Sequence, residues 1–588
     1  MLCCEIINFH YYIPMFKNQP KGLYVLALAN TGERFGYYTM LAILLLFLQA
    51  KFALPTATAG TIYSVFLALV YFMPMIGGII ADKWNFQKTV TLGIVVMFLG
   101  YLVMAIPMSK GAGSAFSSPA FYVMILALLL ISCGTGLFKG NLQVMVGDLY
   151  NNPKYEAKRD VAFSLFYMAI NIGAMFAPSV TESLCSLALS ANDLVYNAEI
   201  PGICNQIIAG EVVKPEDMSI LTSFSGIAEA GPALTEWCQT YVDSISTGYS
   251  YAFAVACFSM VLSFVIYKLG RKTYQGVSDS KAKGAKAAAS NEPELTKEQT
   301  KSRIVALLLV FTVVIFFWMV FHQNGLTLTK FAQEFTSPDA GGFTRIGFNV
   351  WALALIVVVV YAAFNLFQSK SNKVRGISAA ALIAALAGIF CIYSNTPDPV
   401  TGIQPQIYQQ FNPFYVVALT PFSVAIFSWL AKKKKEPSAP RKIGYGMLVA
   451  GLGFAVMAIG SIGLGTVAQA PTVTPNLLIG TYLILTFAEL LLSPMGISFV
   501  SKVAPPKYKG MMMGCWFGAT AIGNLLTAIP ALLWGKIDVA MIWVILVILC
   551  VVSALFIFAM MKKLEAATSD SPAPAAADAL ETVEDDAI

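Results

Sequence analysis

The sequence predicts an all-α, polytopic membrane protein, and three observations support this prediction. Of its 588 residues, 57% are hydrophobic and 12% are charged, whereas soluble domains carry about 25% charged residues. The apolar residues form about fourteen runs that are long enough to cross a bilayer. The basic residues collect in alternate loops, as expected of a chain that crosses the membrane repeatedly.

The predicted spans fall into two sets on either side of a polar linker at 270–302. The first set covers 22–50, 58–81, 88–108, 120–148, 160–180 and 250–269. The second set covers 303–330, 347–368, 376–395, 407–431, 443–466, 475–503, 509–534 and 538–562. The predicted organisation is therefore a tail (1–21), a bundle (22–269), the linker, a second bundle (303–562) and an acidic tail (563–588), which we expect to be disordered.

Loop charges orient the chain in the membrane. Loop 181–249 carries one Lys, no Arg and nine acidic residues, whereas most Lys and Arg residues lie in the loops and tails of the other side. Because Lys and Arg are enriched on the cytoplasmic side, we expect both termini to face the cytoplasm. The short tails and acidic outer loop suit a bacterial inner membrane. Cys204–Cys238 is the simplest disulfide for this loop, but with Cys185 nearby the odd count leaves the pairing open.

Four ionisable side chains lie in the middle of predicted spans: Glu33, Arg34, Lys139 and Glu489. A charge at the centre of a spanning helix costs about 2.5–3.5 kcal/mol, so such groups pair with one another or line a watery cavity. Asn30, Tyr37 and Tyr38 follow helical spacing and add polar groups to the face of Glu33 and Arg34. We expect this face to line a chamber that admits a polar solute. The alternative is a buried Glu33–Arg34 pair that only holds the bundle together.

Further motifs occur in both halves of the chain. In the first half they are Glu33-Arg34-Phe35-Gly-Tyr37-Tyr38, Gly77-Gly78-Ile-Ile-Ala81-Asp82-Lys83, Gly136-Leu-Phe-Lys139-Gly-Asn141 and Phe166-Tyr167-Met-Ala-Ile-Asn171-Ile-Gly173. In the second half they are Phe317-Trp318 with Gln323, Gln409-Gln410-Phe-Asn412-Pro413, Glu489-Leu-Leu-Leu-Ser493-Pro494-Met-Gly496, and Trp516-Phe517 with Asn524. Together these motifs resemble the signatures of the proton-dependent oligopeptide transporters, a branch of the major facilitator superfamily. The resemblance runs from about residue 22 to 562.

The resemblance implies two six-helix bundles around a central cavity, with alternating access driven by proton entry. It implies import of di- and tripeptides by a monomer in the lipid bilayer, with the proton gradient as energy source, no cofactor and no nucleic acid. The fourteen predicted spans exceed the family's twelve by one helix pair. We place this extra hairpin at 347–395, between the seventh and eighth family helices, and expect it to be peripheral.

Three positions depart from the family pattern. The first acid of the signature is Asn30, and the basic residue expected one turn beyond the tyrosine pair is Leu41. The acidic partner of that base on the seventh helix is replaced by Phe321 or His322. Loss of both partners is chemically coherent, because removal of one alone would leave an uncompensated buried charge. Because of these departures, the sequence does not determine the proton route. His322 is a candidate proton relay or, alternatively, a neutral hydrogen-bonded side chain.

A peptide zwitterion defines the expected roles of the charged residues. Glu489 is the candidate ligand for the ammonium, assisted by Asn171 and Asn412 with Gln409 as a further possibility, and Arg34 and Lys139 are candidates for the carboxylate. The other candidate substrate-binding residues are Tyr37, Tyr38, Tyr71, Trp318, Gln323, Ser493 and Trp516. For proton coupling we expect Glu33 with Arg34 to be the proton site. A Lys139–Glu489 or Lys139–Glu33 pair is expected to break and remake during the cycle.

Other functional classes find less support in the sequence. The chain has only two His residues, far apart, and no HExxH, CxxC or GxSxG motif, so a membrane enzyme is disfavoured. It also has no Walker-type loop for ATP-driven pumping. Two alternatives stay open: a carrier of another small organic or inorganic ion, such as nitrate, and a peptide sensor that uses a transporter fold without transport.

Overall fold

The computed structural model describes residues 19–107, 114–150, 154–155, 159–275, 296–369, 371–467, 473–505 and 508–569. Within these ranges the chain is all-α, and 14 helices are long and apolar enough to cross a membrane. We number them α1 (Lys21–Phe52), α2 (Thr56–Lys83), α3 (Phe86–Ala105), α4 (Pro119–Leu149), α5 (Arg159–Ser190), α6 (Pro232–Leu269), α7 (Lys297–Phe321), α8 (Val350–Gln368), α9 (Asn372–Asn395), α10 (Phe411–Lys432), α11 (Ala439–Gly460), α12 (Pro475–Val503), α13 (Lys509–Leu526) and α14 (Val539–Ala559). The fold class and the number of spans predicted from the sequence are confirmed. Most of the linker and most of both predicted tails lie outside the described residues.

Polar residues mark the starts of several helices. Thr296 and Gln299 form a reciprocal capping box at the start of α7, each side chain bonding the other's backbone N–H. Asn85, Asn349 and Asp538 accept backbone N–H bonds at the starts of α3, α8 and α14. These caps satisfy N–H groups that a helix cannot satisfy internally.

Helices α5 and α6 extend well beyond the apolar windows that predicted them. Hydroxyl groups in the extensions bond to carbonyls of their own helix, as Ser183 does to Ser179 and Thr247 to Asp243. The sequence windows ended where apolar residues ended, whereas the helices continue as polar extensions. The connection is therefore only 191–231, which contains two short helices, Ile200–Ile208 and Pro215–Ser225. We call residues 191–231 the cap, its side of the molecule the cap side, and the opposite side the basic side.

Two separate cores define two halves of the molecule. Helices α1–α6 share one buried apolar cluster, and α7 with α10–α14 share the other. Hydrogen bonds join the halves towards the cap side: Ser64 to Thr527 (2.7 Å), Ser179 to Gln410 (2.9 Å), and Gln409 to the carbonyl of Ala42 (3.2 Å).

The extra hairpin formed by α8 and α9 lies at the edge of the second half. Only 22% of the most apolar window of α8 and 11% of that of α9 are buried, so most of this pair faces outward. An ion pair between Arg345 and Asp398 links the two segments that flank the hairpin. The peripheral position expected from the sequence agrees with this geometry.

Three cysteines lie on the cap side. Cys185, Cys204 and Cys238 are buried free thiols. Cys204 and Cys238 lie next to each other and interact, but they form no disulfide. Of the pairings that the sequence left open, the structure forms none among these three cysteines.

Candidate functional site

Arg34 is neutralised by its own neighbour in the sequence. Its Nε and Nη2 each donate to a carboxylate oxygen of Glu33 at 2.5 Å. Both residues are buried, and the guanidinium carbon lies 4.7 Å from the centre of the Tyr37 ring. This fork-shaped pair compensates both charges within one turn of α1. While the Glu33–Arg34 pair is intact, the Glu33 carboxylate compensates most of the Arg34 charge.

Lys139 carries the second positive charge and is held differently. Its Nζ lies 3.8 Å from the centre of the Tyr71 ring, and no carboxylate among the described residues lies within ion-pair distance of it. Close packing of α2 on α4 sets this geometry, since a Cβ on Gly77 would lie 2.2 Å from the carbonyl oxygen of Gly136. A cation over an aromatic face is only partly compensated. Lys139 is therefore ready to bind an anion.

Glu489 supplies the negative charge from the second half. One of its carboxylate oxygens accepts a hydrogen bond from the Tyr167 hydroxyl (2.8 Å), and the other accepts one from Asn412 Nδ2 (3.0 Å). Asn412 also donates to Thr486 (3.0 Å). Glu489 is 6% exposed and has no cationic partner within ion-pair distance among the described residues. Neutral donors hold the carboxylate in place and leave its charge uncompensated.

These charged groups meet in one region of the molecule. Tyr38 and Tyr71 are each within electrostatic range of both Arg34 and Glu489. Tyr71 also contacts Lys139 directly. The Tyr167–Glu489 hydrogen bond crosses between the halves. The structure therefore brings together the four ionisable groups singled out in the sequence, although neither Lys139–Glu489 nor Lys139–Glu33 forms an ion pair in it.

The structure distinguishes His322 from Phe321, the two candidates for the position where the family has an acidic residue on its seventh helix. His322 stacks on Trp318 with ring centres 4.9 Å apart and lies 6.0 Å from Tyr71. Phe321 is buried in the core of the second half and stacks on Phe317. His322 is thus the residue that faces the charged region.

The hydrogen bonds and ring contacts of other predicted site residues do not involve the four ionisable side chains themselves. Asn171 donates to the carbonyl of Tyr167 in its own helix. Gln323 is fully buried and donates to the carbonyls of Met319 and Thr527, so it connects α7 to α13. Trp516 packs in the core of the second half against Phe311 and Gly496. Ser493 Oγ is buried without a hydrogen-bond partner.

Sequence reasoning did not assign roles to Tyr167 and Thr486. Tyr167 stands within the span-five motif, four residues before Asn171, but a tyrosine in an apolar helix gives no sign of its partner on another helix. Its position one helical turn from Asn171 was the available signal. Among the described residues, no group of three or more His, Cys, Asp or Glu is arranged to hold a metal ion.

The geometry agrees with comparisons against known proteins. A family model described as the POT family matches residues 87–290 and 379–545, more than half of the chain. The chain belongs to the POT family. Solved POT structures share its fold: a mutant of the peptide transporter POT in complex with alafosfalin has a TM-score of 0.63 at 21% identity, covering 94% of this chain and 96% of that one. A POT family transporter in complex with 5-aminolevulinic acid has a TM-score of 0.64 at 19% identity, covering 93% and 98%.

Curated relatives of this POT protein are membrane transporters. YclF, an uncharacterised transporter of Bacillus subtilis, is 27% identical over 553 residues, covering 90% of each chain. The peptide transporter YePEPT of Yersinia enterocolitica is 25% identical over 558 residues, covering 87% of each. A di-/tripeptide transporter of Lactococcus lactis is 27% identical over 551 residues, covering 87% of this chain and 89% of the relative. The family and the fold are therefore those of integral membrane transporters and not of enzymes.

The cap connects the two halves across the cap side. The backbone N–H of Ala198 donates to Gln404 (3.1 Å), and Gln333 donates to the carbonyl of Ala198 (2.8 Å). Gln404 also donates to the carbonyl of Tyr196 (3.0 Å). The cap also bonds to the first half, since Asn205 donates to the carbonyl of Ala50 (2.8 Å), so it is hydrogen-bonded to both halves.

Glu199 should make this contact depend on pH. Burial raises the pKa of Glu199 to about 7, with Lys330 opposing the shift and Glu334 and Asp217 adding to it. A raised carboxyl pKa stabilises the docked cap at low pH, and this contribution is lost as pH rises through about 7. Hydrogen exchange of amides 196–208, corrected for intrinsic rates, should therefore report on the order of tenfold more opening at pH 8 than at pH 5.5.

Two variants check the assignment to this residue. Glu199→Gln should remove most of the pH dependence, whereas Glu211→Gln, at an exposed position of the same cap, should retain it. The same pH dependence in unmodified and Glu199→Gln proteins would contradict the assignment.

Proposed function

We propose that the protein is a proton-coupled symporter that imports di- and tripeptides by alternating access. The proposal depends on one observation: Lys139 in the first half and Glu489 in the second half are a basic and an acidic side chain that no ion pair engages within the described part of the chain. A short peptide is a zwitterion whose carboxylate and ammonium complement these two groups. Because the two residues belong to different halves, a bound peptide links the halves through its own ends.

Substrate binding and conformational change are coupled in this arrangement. Each buried charge loses solvation, and a bound peptide terminus returns a charge-assisted hydrogen bond of about 1.5–3 kcal/mol. A molecule with only one charged end leaves the other site uncompensated. The zwitterion therefore favours approach of the two halves more than either singly charged analogue does. The names of the Yersinia and Lactococcus relatives support a peptide as the substrate class.

The Glu33–Arg34 pair is the proposed proton site. A proton on Glu33 removes the negative charge that engages the Arg34 guanidinium at 2.5 Å. Arg34 then joins Lys139 as a ligand for the peptide carboxylate. Proton entry thereby strengthens peptide binding, which is the requirement for symport.

Glu33→Gln should abolish peptide accumulation driven by an inward proton gradient. The substitution fixes the neutral state of the side chain, so proton binding no longer changes the engagement of Arg34. Uptake of labelled Ala-Ala into proteoliposomes, with and without an imposed pH gradient, measures the effect. Glu33→Asp retains the titratable charge and serves as the matched control, with at least part of the stimulation preserved. Full gradient-driven uptake by Glu33→Gln would show that the proton binds elsewhere.

The proposed orientation follows from the charges of the loops. We place the basic side and both termini in the cytoplasm of a bacterium and the acidic cap outside its inner membrane. The hydrogen bonds that join the halves on the cap side then close the outer end. In the proposed orientation, this is a state closed to the outside. We expect the monomer to be the functional unit.

One experiment separates this proposal from its alternatives. Counterflow of labelled Ala-Ala into proteoliposomes preloaded with unlabelled peptide requires a carrier, and a non-transporting sensor shows none. If a large excess of nitrate leaves Ala-Ala uptake unchanged, an inorganic anion is excluded as the main substrate. Absence of both Ala-Ala counterflow and gradient-driven uptake would overturn the proposed function.

A further inference from the structure

A cavity of about 430 Å³ lies on the basic side, where the loop between α10 and α11 meets the short helix Met561–Ser569 that follows α14. We call this cavity the loop pocket. Its walls include two lysines, an arginine, a serine and two glutamates: Lys434, Lys435, Arg441, Ser438, Glu436 and Glu565. Because the loop joins the ends of two spanning helices, the pocket lies at the boundary between the bilayer and the aqueous phase.

The three consecutive lysines at 433–435 have no acidic partner. Arg441 donates to Glu565 through Nε (2.7 Å) and Nη2 (3.2 Å), and Lys442 pairs with Glu436. These pairs use both carboxylates of the loop pocket. The three lysines are exposed, and no carboxylate among the described residues lies within ion-pair distance of them. The loop pocket therefore presents an excess of positive charge.

The backbone holds Lys434 in a conformation that suits glycine. Its φ is 53°, in the left-handed region. The backbone N–H groups of Lys433 and Lys435 bond to the carbonyls of Trp429 (3.2 Å) and Leu430 (2.9 Å) and close the end of α10. Helices that end with a left-handed residue usually carry Gly there. A lysine is less favourable than glycine at this position, which indicates that its charge has a role beyond ending the helix.

Apolar side chains continue from the loop pocket along one face of α11. Tyr445 forms part of the pocket wall, and Tyr445, Leu448 and Leu452 follow helical spacing and are exposed. Exposed apolar side chains on a spanning helix face lipid acyl chains. On α10, the Trp429 ring lies 4.0 Å from Lys433 Nζ, and Trp is enriched at membrane interfaces. The loop pocket thus combines cationic groups at the interface with an apolar surface for acyl chains.

We propose that the loop pocket binds the phosphate headgroup of an anionic phospholipid in the adjacent leaflet, with its acyl chains along Tyr445, Leu448 and Leu452. Lys434 and Lys435 supply the charge, because lysine ammonium groups bind phosphate as point charges. Clusters of basic residues next to spanning helices attract anionic lipids. A zwitterionic lipid carries an ammonium beside its phosphate and gains less from the same lysines. The inference does not depend on which solute the protein transports.

The test is the affinity of the first bound lipid, measured by native mass spectrometry of the purified full chain in detergent. Phosphatidylglycerol is compared with phosphatidylcholine of the same acyl chains. Each Lys near an anionic lipid surface contributes about fivefold in affinity. The double variant Lys434→Gln/Lys435→Gln should therefore bind phosphatidylglycerol about 25-fold more weakly, with phosphatidylcholine binding nearly unchanged. Lys434→Gly alone should weaken phosphatidylglycerol binding by about fivefold and raise the thermal stability, because glycine suits the left-handed backbone.

The double variant Lys373→Gln/Arg375→Gln is the matched control. These exposed basic residues at the start of α9 lie on the same side of the membrane, and their replacement removes the same charge, so phosphatidylglycerol affinity should stay nearly unchanged. An equal loss in both double variants would indicate a general effect of surface charge and overturn the site. Unchanged affinity in Lys434→Gln/Lys435→Gln would also overturn it.

A soluble headgroup distinguishes a lipid from a free phosphate compound. Glycerophosphoglycerol has the headgroup of phosphatidylglycerol but no acyl chains, so it should not displace the bound lipid at equal concentration. Displacement would assign the loop pocket to a soluble phosphate compound and overturn the proposed lipid site.

Discussion

Glu489→Gln should weaken binding of Ala-Ala by about a hundredfold or more. The substitution keeps the size of the side chain and an acceptor for one of the two donors, Tyr167 or Asn412, but it removes the charge that faces the peptide ammonium. Removing one partner of a buried, hydrogen-bonded charge pair costs about 3–5 kcal/mol, which is roughly 10² to several times 10³ in affinity. Binding to the purified protein in detergent, followed by calorimetry, measures the change directly.

An N-blocked peptide shows whether the ammonium is the group involved. Acetyl-Ala-Ala should bind the unmodified protein far more weakly than Ala-Ala, and the two should bind Glu489→Gln about equally. Glu182→Gln, a second acid-to-amide change in a spanning helix of the first half, should leave the preference for the free amino group intact. If Glu489→Gln still preferred Ala-Ala strongly over acetyl-Ala-Ala, the ammonium would have to bind elsewhere.

Lys139→Met should cause a loss of similar size at the other end of the peptide. Methionine retains an unbranched apolar chain over the Tyr71 ring but has no charge, so the peptide carboxylate would be buried without its nearest cation. We expect about a hundredfold weaker binding of Ala-Ala. Arg34 replaces little of the lost Lys139 charge while Glu33 is ionised, because its guanidinium is already paired with the Glu33 carboxylate.

The C-terminal amide of Ala-Ala and a second lysine serve as controls for this prediction. Ala-Ala-NH₂ should bind the unmodified protein weakly and should gain nothing from Lys139. Lys51 is also buried and lies near an aromatic ring, with its Nζ 5.4 Å from the centre of the Phe47 ring. Lys51→Met should therefore leave the preference for a free carboxylate unchanged. Retention of that preference in Lys139→Met would exclude Lys139 as its source.

The sequence was sufficient to predict the fold class and the meeting of the charged residues. Charges such as Lys139 and Glu489 are so costly in lipid that their isolation in apolar helices already requires a shared interior. The pairing among them was not predictable in the same way. Glu33 bonds Arg34 because the two are adjacent, whereas any pairing of Lys139 depends on the rotation and separation of α4 relative to its neighbours.

Residue type alone also failed to distinguish site residues from packing residues. Gln323 and Trp516 matched the expected motifs, but the structure uses Gln323 to connect two helices and buries Trp516 in a core. The role of Tyr167 was not predicted because its hydroxyl donates to the Glu489 carboxylate, which lies on another helix. Helix ends were underpredicted where hydroxyls such as that of Ser183 satisfy helix carbonyls outside the apolar window.

Binding of four forms of one dipeptide to the purified, unmodified protein tests the account most directly: Ala-Ala, its N-acetyl form, its C-terminal amide, and the doubly blocked form. If Lys139 and Glu489 hold opposite ends of a single solute, each block alone should weaken binding by about a hundredfold, and the doubly blocked peptide should not bind measurably. Binding of the doubly blocked peptide as tight as that of Ala-Ala would contradict the account.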